Sequence, residues 1–362
     1  MARTPHALLA GGGTGGHVFP ALAVGDELVS RGWTVSFTGA ATGLEARLVP
    51  ARGIPFHPLP ALPLVGKSAA ARVRALATLG RSALAARRLV RSLGVDAVLG
   101  TGGYVSAPAV VGARLAGRPV LLLEPNARAG VANRWLSRWA AGAAVAYDSA
   151  RADLACPVWV TGVPVREEFF LVGPELPAGA PRLLVLGGSQ GARQVNELLP
   201  DAVAALAHRL PGLTVLHQVG ERNLDAARAA WAASGVPASQ VEVAPFLDDV
   251  AGAMAAAHLI VSRAGALTTA EICAAGRASL LLPLSIAKGH QGENAAVLAA
   301  AGAAEVLAGG EVTAERLHAL LAALLPDRER LAQMARAARG LARPRAAAAI
   351  ADRFEQLVEA GL

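Results

Sequence analysis

Cysteine, aromatic residues and long apolar runs are all scarce in this sequence of 362 residues. The two cysteines, Cys156 and Cys273, stand alone, which excludes a disulfide framework and a CxxC metal site. Aromatic residues make up 4% of the chain and hydrophobic residues 54%, so we expect aliphatic cores. No stretch approaches the roughly 18–20 uninterrupted apolar residues of a membrane span, and we therefore expect no transmembrane helix.

We also expect no secretory leader, because only four apolar residues lie between Arg3 and Gly11. We therefore expect a protein of the cytoplasm, with reduced thiols. The sequence contains no Asp-x-Asp, so it predicts no dedicated metal site for a diphosphate. We predict neither a metal nor a cofactor.

Acidic residues are fewer than basic ones, and the net charge is +7 with a sequence pI of about 10.5. This balance is typical of proteins that meet a phosphorylated ligand, nucleic acid or an anionic membrane surface. Zinc-finger spacing, an aromatic RNA-binding strand and a basic low-complexity tail are all absent from the sequence. We therefore expect no nucleic-acid partner.

The chain is long enough for two domains, and two of its segments begin in the same way. A short apolar strand followed by a glycine loop and a helix occurs near residue 7 and again near residue 183. A proline-rich stretch, residues 157–181, separates them. The pattern predicts an α/β protein with two Rossmann-like domains facing across a cleft. We predict domains at residues 1–163 and 164–343, and a C-terminal helix over 344–362 that returns to the first domain.

The first glycine loop, residues 11–16, formally satisfies GxGxxG. A dinucleotide site also needs an acidic residue at the end of the second strand, and Thr38-Gly39-Ala40 stands there instead. The loop therefore predicts a phosphate or sugar site without a dinucleotide. His17 lies at the mouth of the following helix, where the helix dipole favours the neutral imidazole. It is either a base or a polar residue that only packs.

Two further strands of the first half end in polar turns. The strand at residues 97–99 leads into Thr101-Gly102-Gly103, and the strand at residues 120–123 leads into Glu124-Pro125-Asn126. Because the carboxyl ends of parallel strands share one sheet edge, these turns are expected to converge with the first glycine loop.

In the second half, residues 259–291 predict a strand, a turn, a helix and a second strand at residues 280–283. Thr268 is expected to cap the helix, and Gly276 to end it. Glu271 has two interpretations. It either closes a capping box with Thr268, or it accepts hydrogen bonds from two sugar hydroxyls.

The segment from Leu62 to Arg91 is basic and amphipathic. Leucines at positions 76, 79 and 84 are interleaved with six arginines, at positions 72, 74, 81, 87, 88 and 91. Such a segment either lies on an anionic membrane or forms an ordinary surface helix.

Six motifs occur in order over nearly the whole chain: GGGTGGHVFPALA, TGGYVSAPAV, GGSQGARQVNELLP, FLDDV, RAGALTTAEICAAG and HQGENA. Together they resemble the MurG family of peptidoglycan N-acetylglucosaminyltransferases. That family transfers N-acetylglucosamine from UDP-N-acetylglucosamine to undecaprenyl-pyrophosphoryl-N-acetylmuramyl-pentapeptide. The resemblance implies the GT-B fold, inversion at the anomeric carbon and a peripheral place at the cytoplasmic face of the membrane. The basic segment and the net charge add the expectation that this membrane surface is anionic.

The resemblance also implies which residues form the site. For the donor it implies Ser189, Ala266, Leu267 and Thr268 at the diphosphate, with Thr269 and Ala270 beside them, Leu247 and Arg166 around the uracil, Glu271 at the ribose and Gln291 at the sugar. For the transferred sugar and the acceptor it implies Thr14, Gly15, Gly16 and Asn126. Pro125 and Val163 stand where relatives often have glutamine and asparagine.

A single displacement needs a base, for which His17 is the first choice and Glu124 the second. Helix N-termini near Gly191 and Thr268 would stabilise the leaving UDP. The alternative function is a nucleotide-sugar epimerase of the same fold that acts on soluble UDP-N-acetylglucosamine. A NAD-dependent dehydrogenase is disfavoured by the missing acid, and a non-catalytic binding module by the converging polar turns.

Overall fold

The computed structural model describes residues 3–62, 69–188, 191–284 and 290–360, with residues 69–73 described by their backbone alone. The chain divides into two compact units, which we call unit 1 (Met1–Val165 and Arg343–Leu362) and unit 2 (Arg166–Ala342). Within the described residues, no helix is long and apolar enough to cross a membrane.

The N-terminal part of unit 1 alternates strands and helices. They are β1 His6–Ala10, α1 Gly15–Ser30, β2 Thr34–Gly39, α2 Glu45–Ala51, β3 Phe56–Pro58, α3 Ala69–Ser92, β4 Ala97–Gly100, α4 Gly103–Leu115, β5 Val120–Glu124, α5 Val131–Leu136, β6 Gly142–Val145 and β7 Val158–Val160.

Unit 2 continues the alternation. Its elements are α6 Glu167–Phe170, β8 Arg182–Leu186, α7 Arg193–Ala207, β9 Thr214–Gln218, α8 Leu224–Ala233, β10 Val241–Ala244, α9 Val250–Ala256, β11 Leu259–Ser262, α10 Ala266–Ala275, β12 Ser279–Leu281, α11 Gln291–Ala300, β13 Ala304–Val306, α12 Ala314–Leu324 and α13 Arg328–Gly340. The last helix, α14 Ala346–Ala360, belongs to unit 1.

Each unit is built on one sheet whose described strand pairs are all parallel. The order is β3-β2-β1-β4-β5-β6-β7 in unit 1 and β10-β9-β8-β11-β12-β13 in unit 2. In both sheets the second and third strands lie on one side of the first strand, and all later strands lie on its other side. This is the Rossmann arrangement, so the predicted pair of Rossmann-like α/β domains is confirmed.

The unit 1 sheet is covered on both faces, because successive side chains of a strand point to opposite sides. Ala7 and Leu9 of β1 join a buried cluster with α1 and α14, whereas Leu8 and Ala10 join a second cluster with α3, α4 and α5. Strands buried on both faces read as continuous apolar runs, which is why these short segments were recognisable in the sequence.

Helix α14 is held on α1 and β2 by packing and by charge. The buried ring of Phe354 lies 5.5 Å from the ring of Trp33, edge to face. Arg31, at the end of α1, donates to Asp352 at 2.7 Å and to Glu355 at 2.8 Å. The C-terminal helix is therefore part of the unit 1 core, not an appendage.

Replacing Phe354 with alanine should lower the free energy of unfolding by about 3–5 kcal/mol, because it removes a fully buried ring and leaves a cavity. Denaturant unfolding followed by circular dichroism measures the change. Leu171→Ala is the control, since Leu171 is 78% exposed and its loss should cost less than about 0.5 kcal/mol. Equal effects of the two variants would contradict the role given to α14.

Candidate active site

In both sheets the strand order reverses beside the first strand, and ligands of such sheets bind at the carboxyl ends of the strands at this point. In unit 1 the loop after β1 and the turn after β4 meet there, because β1 and β4 are neighbours. In unit 2 the neighbours are β8 and β11, so the loops that follow them share the equivalent position. The candidate residues of each unit lie at these edges.

His17 lies in the first turn of α1, which begins at Gly15. Its Nδ1 atom lies 3.2 Å from the Gly12 carbonyl oxygen and 3.2 Å from Thr14 Oγ1. A carbonyl oxygen only accepts, so Nδ1 carries the proton and donates it to Gly12. In the neutral ring Nε2 is then the unprotonated nitrogen, as a general base requires.

The half-buried position of His17 sets its protonation state. Burial lowers the pKa of His17 below its ordinary value of 6.5. The negative charges of Glu124 and Glu45 and the hydrogen bond to Gly12 raise the pKa again, but they do not cancel the effect of burial. The imidazole is therefore neutral at neutral pH.

Glu124 ends β5 and is 1% exposed. One carboxylate oxygen accepts from the backbone N–H and the side-chain amide of Asn126, at 3.0 and 2.8 Å. The other accepts from the Gly130 N–H at 2.8 Å and from Asn133 Nδ2 at 3.0 Å. Both oxygens are thus engaged, which supports a role for Glu124 in shaping the loop and favours His17 over Glu124 as the base.

Asn133 was not predicted from the sequence, although it connects this loop to the sheet. It is 1% exposed, and its Nδ2 donates to the Leu123 carbonyl at 3.0 Å as well as to Glu124. Its Oδ1 is buried and has no hydrogen-bond partner among the described residues. No local pattern marks an asparagine in the first turn of a short helix as the partner of a glutamate nine residues earlier.

Glu45 is a second residue that sequence analysis missed. It is fully buried, and its carboxylate accepts from the backbone N–H groups of Gly13 and Ala40. The predicted absence of an acid at the end of β2 is correct, since β2 ends at Gly39. An acid nevertheless reaches the glycine loop from the start of α2.

In unit 2 the prediction that Thr268 caps its helix is wrong. Helix α10 begins two residues earlier, at Ala266, and its N-cap is Gly265 in an extended conformation, with no side-chain cap. Because Thr268 is not the N-cap, the capping-box interpretation of Glu271 is wrong as well. The first helical hydrogen bond runs from the Thr269 N–H to Gly265, so the amides of Ala266, Leu267 and Thr268 precede it. Gly276 does end the helix, in the left-handed conformation.

The Glu271 carboxyl group is half-buried and has no hydrogen-bond partner among the described residues. Burial raises its pKa to about 8, the positive charge of Arg166 lowers it, and the negative charge of Glu168 raises it. Arg166, at the N-cap of α6, pairs with Glu168 at 2.8 Å and lies over the Phe169 ring. The structure therefore brings Arg166 close to Glu271, two residues that are 105 positions apart in the sequence.

Arg263 lies at the carboxyl end of β11, next to the start of α10, and was not nominated from the sequence. Its Nη1 donates to the Leu282 carbonyl at 3.3 Å, and its buried Nε has no partner among the described residues. Burial lowers the pKa of the guanidinium. A cation at a strand end, beside three backbone amides that have no hydrogen-bond partner among the described residues, favours an anionic ligand.

The other predicted donor residues lie at the same edge of unit 2 or nearby. Leu247 is half-buried in the loop after β10, and Gln291 begins α11 with its Oε1 accepting from the Leu284 N–H at 3.0 Å. Thr269 is buried and its hydroxyl donates to carbonyls of its own helix, while Ala270 is half-buried. Ser189 lies outside the described residues.

In unit 1, Thr14 is the exposed N-cap of α1, and Gly15 and Gly16 form the first turn together with His17. Asn126 is half-buried at the end of β5, held by Glu124. Within the described residues, no group of three or more His, Cys, Asp or Glu side chains is placed to hold a metal ion.

Comparison with known protein families shows the class of enzyme to which the chain belongs. Residues 7–145 match the glycosyltransferase family 28 N-terminal domain, and residues 182–352 match the glycosyltransferase family 28 C-terminal domain. The chain thus carries both domains of a family 28 glycosyltransferase.

The particular family follows from relatives that match almost the whole chain. A Halorhodospira halophila protein named UDP-N-acetylglucosamine–N-acetylmuramyl-(pentapeptide) pyrophosphoryl-undecaprenol N-acetylglucosamine transferase is 44% identical over 355 residues, covering 96% of this chain and 97% of that protein. The crystal structure of Acinetobacter baumannii MurG is similar with a TM-score of 0.80 and 37% identity, covering 97% of this chain and 99% of that chain. The chain belongs to this family of N-acetylglucosamine transferases, and the resemblance drawn from the six motifs is confirmed.

A putative UDP-N-acetylglucosamine 2-epimerase from Listeria monocytogenes has a TM-score of 0.72 but only 15% identity, over 98% of each chain. At that identity the likeness concerns the fold alone. It gives no support to the alternative of an epimerase.

Glu124→Ala should lower the free energy of unfolding by about 3 kcal/mol or more, because four donors lose a buried acceptor. Amide exchange at Asn126 and Gly130 should rise in parallel. Glu305→Ala is the matched control: Glu305 pairs with Arg330 at the surface, and such pairs contribute at most about 1 kcal/mol. A loss no larger than that of the control would show that Glu124 does not hold the loop.

Proposed function

We propose that this protein transfers N-acetylglucosamine from UDP-N-acetylglucosamine to the N-acetylmuramyl-(pentapeptide) group carried on pyrophosphoryl-undecaprenol, a step of peptidoglycan synthesis. The observation that carries the proposal is the 44% identity, over 96% of the chain, to a transferase named for this reaction. The arrangement of the strand-end residues in each unit supplies the chemistry.

The donor is assigned to unit 2. The first amides of α10, which have no hydrogen-bond partner in the described part of the chain, offer positive charge for the diphosphate together with Arg263. Glu271 offers the ribose hydroxyls a carboxyl group that no other described residue hydrogen-bonds, and Arg166 lies beside it. Leu247, Gln291, Thr269, Ala270 and Ser189 remain proposed donor residues from the family resemblance.

The base is assigned to unit 1. In an inverting displacement the acceptor hydroxyl oxygen forms a bond to the anomeric carbon, and the bond from that carbon to the diphosphate breaks with its electron pair leaving on UDP. The hydroxyl proton passes to His17 Nε2, the nitrogen that the Gly12 contact leaves unprotonated. Thr14, Gly15, Gly16 and Asn126, at the same sheet edge, are proposed to contact the sugar or the acceptor.

A membrane contact is assigned to α3. The exposed stripe of this helix carries four arginines and two leucines, Arg74, Leu76, Arg81, Leu84, Arg88 and Arg91. The helix contains no acidic residue. Such a stripe suits an anionic lipid surface. Of the other residues in the predicted segment, Leu79 and Arg87 are half-buried, while Leu64, Val65 and the Arg72 side chain lie outside the described residues.

Two exposed tryptophans lie in and just after α5. Trp135 and Trp139 are 42% and 40% exposed, with ring centroids 4.5 Å apart. Trp135 belongs to α5, which covers the same face of the sheet as α3. Tryptophan is enriched where proteins meet the membrane interface. We therefore propose peripheral binding to the cytoplasmic face of an anionic membrane through this layer of helices.

The direct test of the function supplies UDP-N-acetylglucosamine labelled in the sugar, with and without a short-chain lipid-linked N-acetylmuramyl-pentapeptide. We expect label to appear on the lipid only when the acceptor is present, with the β configuration that follows from inversion of an α-linked donor. Release of an epimerised UDP-sugar without acceptor, and no labelled lipid, would overturn the proposal in favour of the epimerase.

UDP affinity should rise by about eightfold between pH 7 and pH 8.5. Ribose hydroxyls donate to the ionised carboxylate, and a group with a pKa of about 8 is roughly one tenth ionised at pH 7 and roughly three quarters ionised at pH 8.5. The charged groups acting on Glu271 are Arg166 and Glu168. Calorimetry in two buffers of different ionisation enthalpy should also detect proton release on binding.

Glu271→Gln is the control for this titration, since it keeps the size of the side chain and removes the ionisation. Its UDP affinity should not change between the two pH values. At pH 8.5 it should bind UDP about ten- to a hundredfold more weakly than the wild type. The same rise with pH in the variant would mean that another group titrates and that Glu271 does not bind the ribose.

The triple variant Arg74→Gln, Arg81→Gln, Arg88→Gln should bind anionic vesicles about a hundredfold more weakly, since each basic residue at the surface contributes about 1 kcal/mol. Sedimentation with vesicles at several salt concentrations measures this, and the salt dependence should also diminish. Arg228, Arg316 and Arg336, all exposed in unit 2, provide a control triple with the same change of charge. Equal binding by both triples, or no binding by the wild type, would show that α3 is an ordinary surface helix.

A further inference from the structure

Glu45 is a buried carboxylate that the proposed reaction does not use directly. It is the first residue of α2 and is fully buried, yet no positively charged side chain pairs with it among the described residues. Oε1 accepts from the Ala40 N–H at 2.9 Å and Oε2 from the Gly13 N–H at 3.1 Å. An ion buried with so few partners is costly, so its retention needs a reason.

Three glycines make room for this carboxylate. A methyl group on Gly12, Gly39 or Gly43 would overlap with the Glu45 side chain. Gly12 belongs to the loop before α1, whereas Gly39 and Gly43 flank the turn between β2 and α2. Two separate loops therefore pack around the side chain of Glu45. This packing explains why glycine occupies all three positions, which a phosphate-binding loop alone would not require.

The contact with Gly13 is important because of the peptide to which that N–H belongs. The Gly13 N–H and the Gly12 carbonyl are the two polar groups of one planar peptide unit. Glu45 accepts from the N–H of this unit at 3.1 Å, and its carbonyl accepts from His17 Nδ1 at 3.2 Å. The carboxylate, the peptide and the imidazole thus form a chain of two hydrogen bonds.

Hydrogen bonds in such a chain strengthen one another. A carboxylate that accepts from an N–H polarises the amide, so the carbonyl oxygen becomes a better acceptor. A stronger acceptor at Gly12 holds the proton on Nδ1 and makes Nε2 more basic, as a carboxylate does in a direct pair with histidine. The charged groups that act on His17 are Glu124 and Glu45, and both raise its pKa against the effect of burial.

We propose that Glu45 is a positioning residue that holds His17 in its Nδ1-protonated tautomer through the Gly12–Gly13 peptide. The importance of this relay for turnover rests on the proposed function, in which His17 Nε2 is the base. The relay itself is a property of the protein without substrate. It can therefore be tested separately from catalysis.

The first test is nitrogen NMR of the imidazole groups in the full chain, with the His17 signals assigned from His17→Gln. In the wild type we expect the neutral ring to show a protonated Nδ1 and an unprotonated Nε2. In Glu45→Gln the two nitrogen shifts should move towards each other as the tautomers mix, and the pKa of His17 should fall because a negative charge is lost. Unchanged shifts and an unchanged titration would overturn the proposal.

A second variant covers the case in which Glu45→Gln does not fold. Gly43→Ala would displace the Glu45 carboxyl group from outside the glycine loop, since the three atoms nearest to the added methyl belong to Glu45. It should change the His17 shifts in the same direction. Gly340→Ala is its matched control, because nothing lies within 4 Å of the added methyl there. A change in the control but not in Gly43→Ala would also overturn the relay.

Turnover then connects the relay to the reaction. Glu45→Gln should lower kcat about ten- to a hundredfold, the range found when a partner that orients a metal-bound histidine is removed, with little change in KM for the donor. In a His17→Ala background the same substitution should have no further effect. An equal loss in both backgrounds would mean that Glu45 only supports the fold.

The outcomes separate the two proposals. If the nitrogen shifts change as expected while His17→Ala keeps its turnover, the relay is supported and the role of His17 as the base is contradicted. If His17→Ala loses turnover while the shifts are the same in Glu45→Gln and the wild type, the role of His17 as the base is supported and the relay is contradicted.

Discussion

A carboxylate taken out of water must find other donors, and unit 1 meets this requirement twice at the carboxyl end of its sheet. Glu124 takes four N–H groups and Glu45 takes two, and most of them belong to the backbone of loops. Each carboxylate therefore gives a definite shape to a segment that has no regular hydrogen bonding of its own. His17 Nδ1 donates to the Gly12 carbonyl in one of these loops, and the negative charges of both carboxylates raise its pKa.

Unit 2 shows the opposite situation, in which polar groups at the strand ends lack protein partners among the described residues. At its strand ends several polar groups have no protein partner among the described residues: the Glu271 carboxyl group, Arg263 Nε and the first amides of α10. Buried or half-buried polar groups without partners are rare in folded proteins, and at such a site they are the groups that a ligand completes. We propose that a nucleotide supplies the missing partners, with its hydroxyls donating to Glu271 and its diphosphate accepting from the amides and Arg263. The Glu124 and Glu45 carboxylates of unit 1 already accept hydrogen bonds from the protein, whereas the unit 2 groups have no such partners among the described residues.

Local signals predicted most of the fold, because short strands buried on both faces and glycine turns before helices are visible in the residues themselves. They failed where a contact between residues distant in the sequence determines the local structure. Thr268 looks like a cap, but the chain leaves β11 extended through Gly265, so the helix starts before it. Glu45 was missed because the rule inspects the end of β2, whereas this acid arrives from α2. Arg166 and Glu271 became neighbours only through the packing of α6 on α10, which no local pattern encodes.

The central claim is that His17 takes the proton of the acceptor hydroxyl. The measurement that tests it most directly is the pH dependence of kcat for His17→Ala beside the wild type, with UDP affinity measured on the same preparations. A positioned base contributes roughly 10²–10⁴-fold, so turnover should fall by that factor while UDP binding is unchanged. The wild-type rate should decline below the lowered pKa of His17, and this acidic limb should be absent from the variant. A variant that keeps more than about a tenth of wild-type turnover, or keeps the acidic limb, would contradict the account and transfer the role to Glu124.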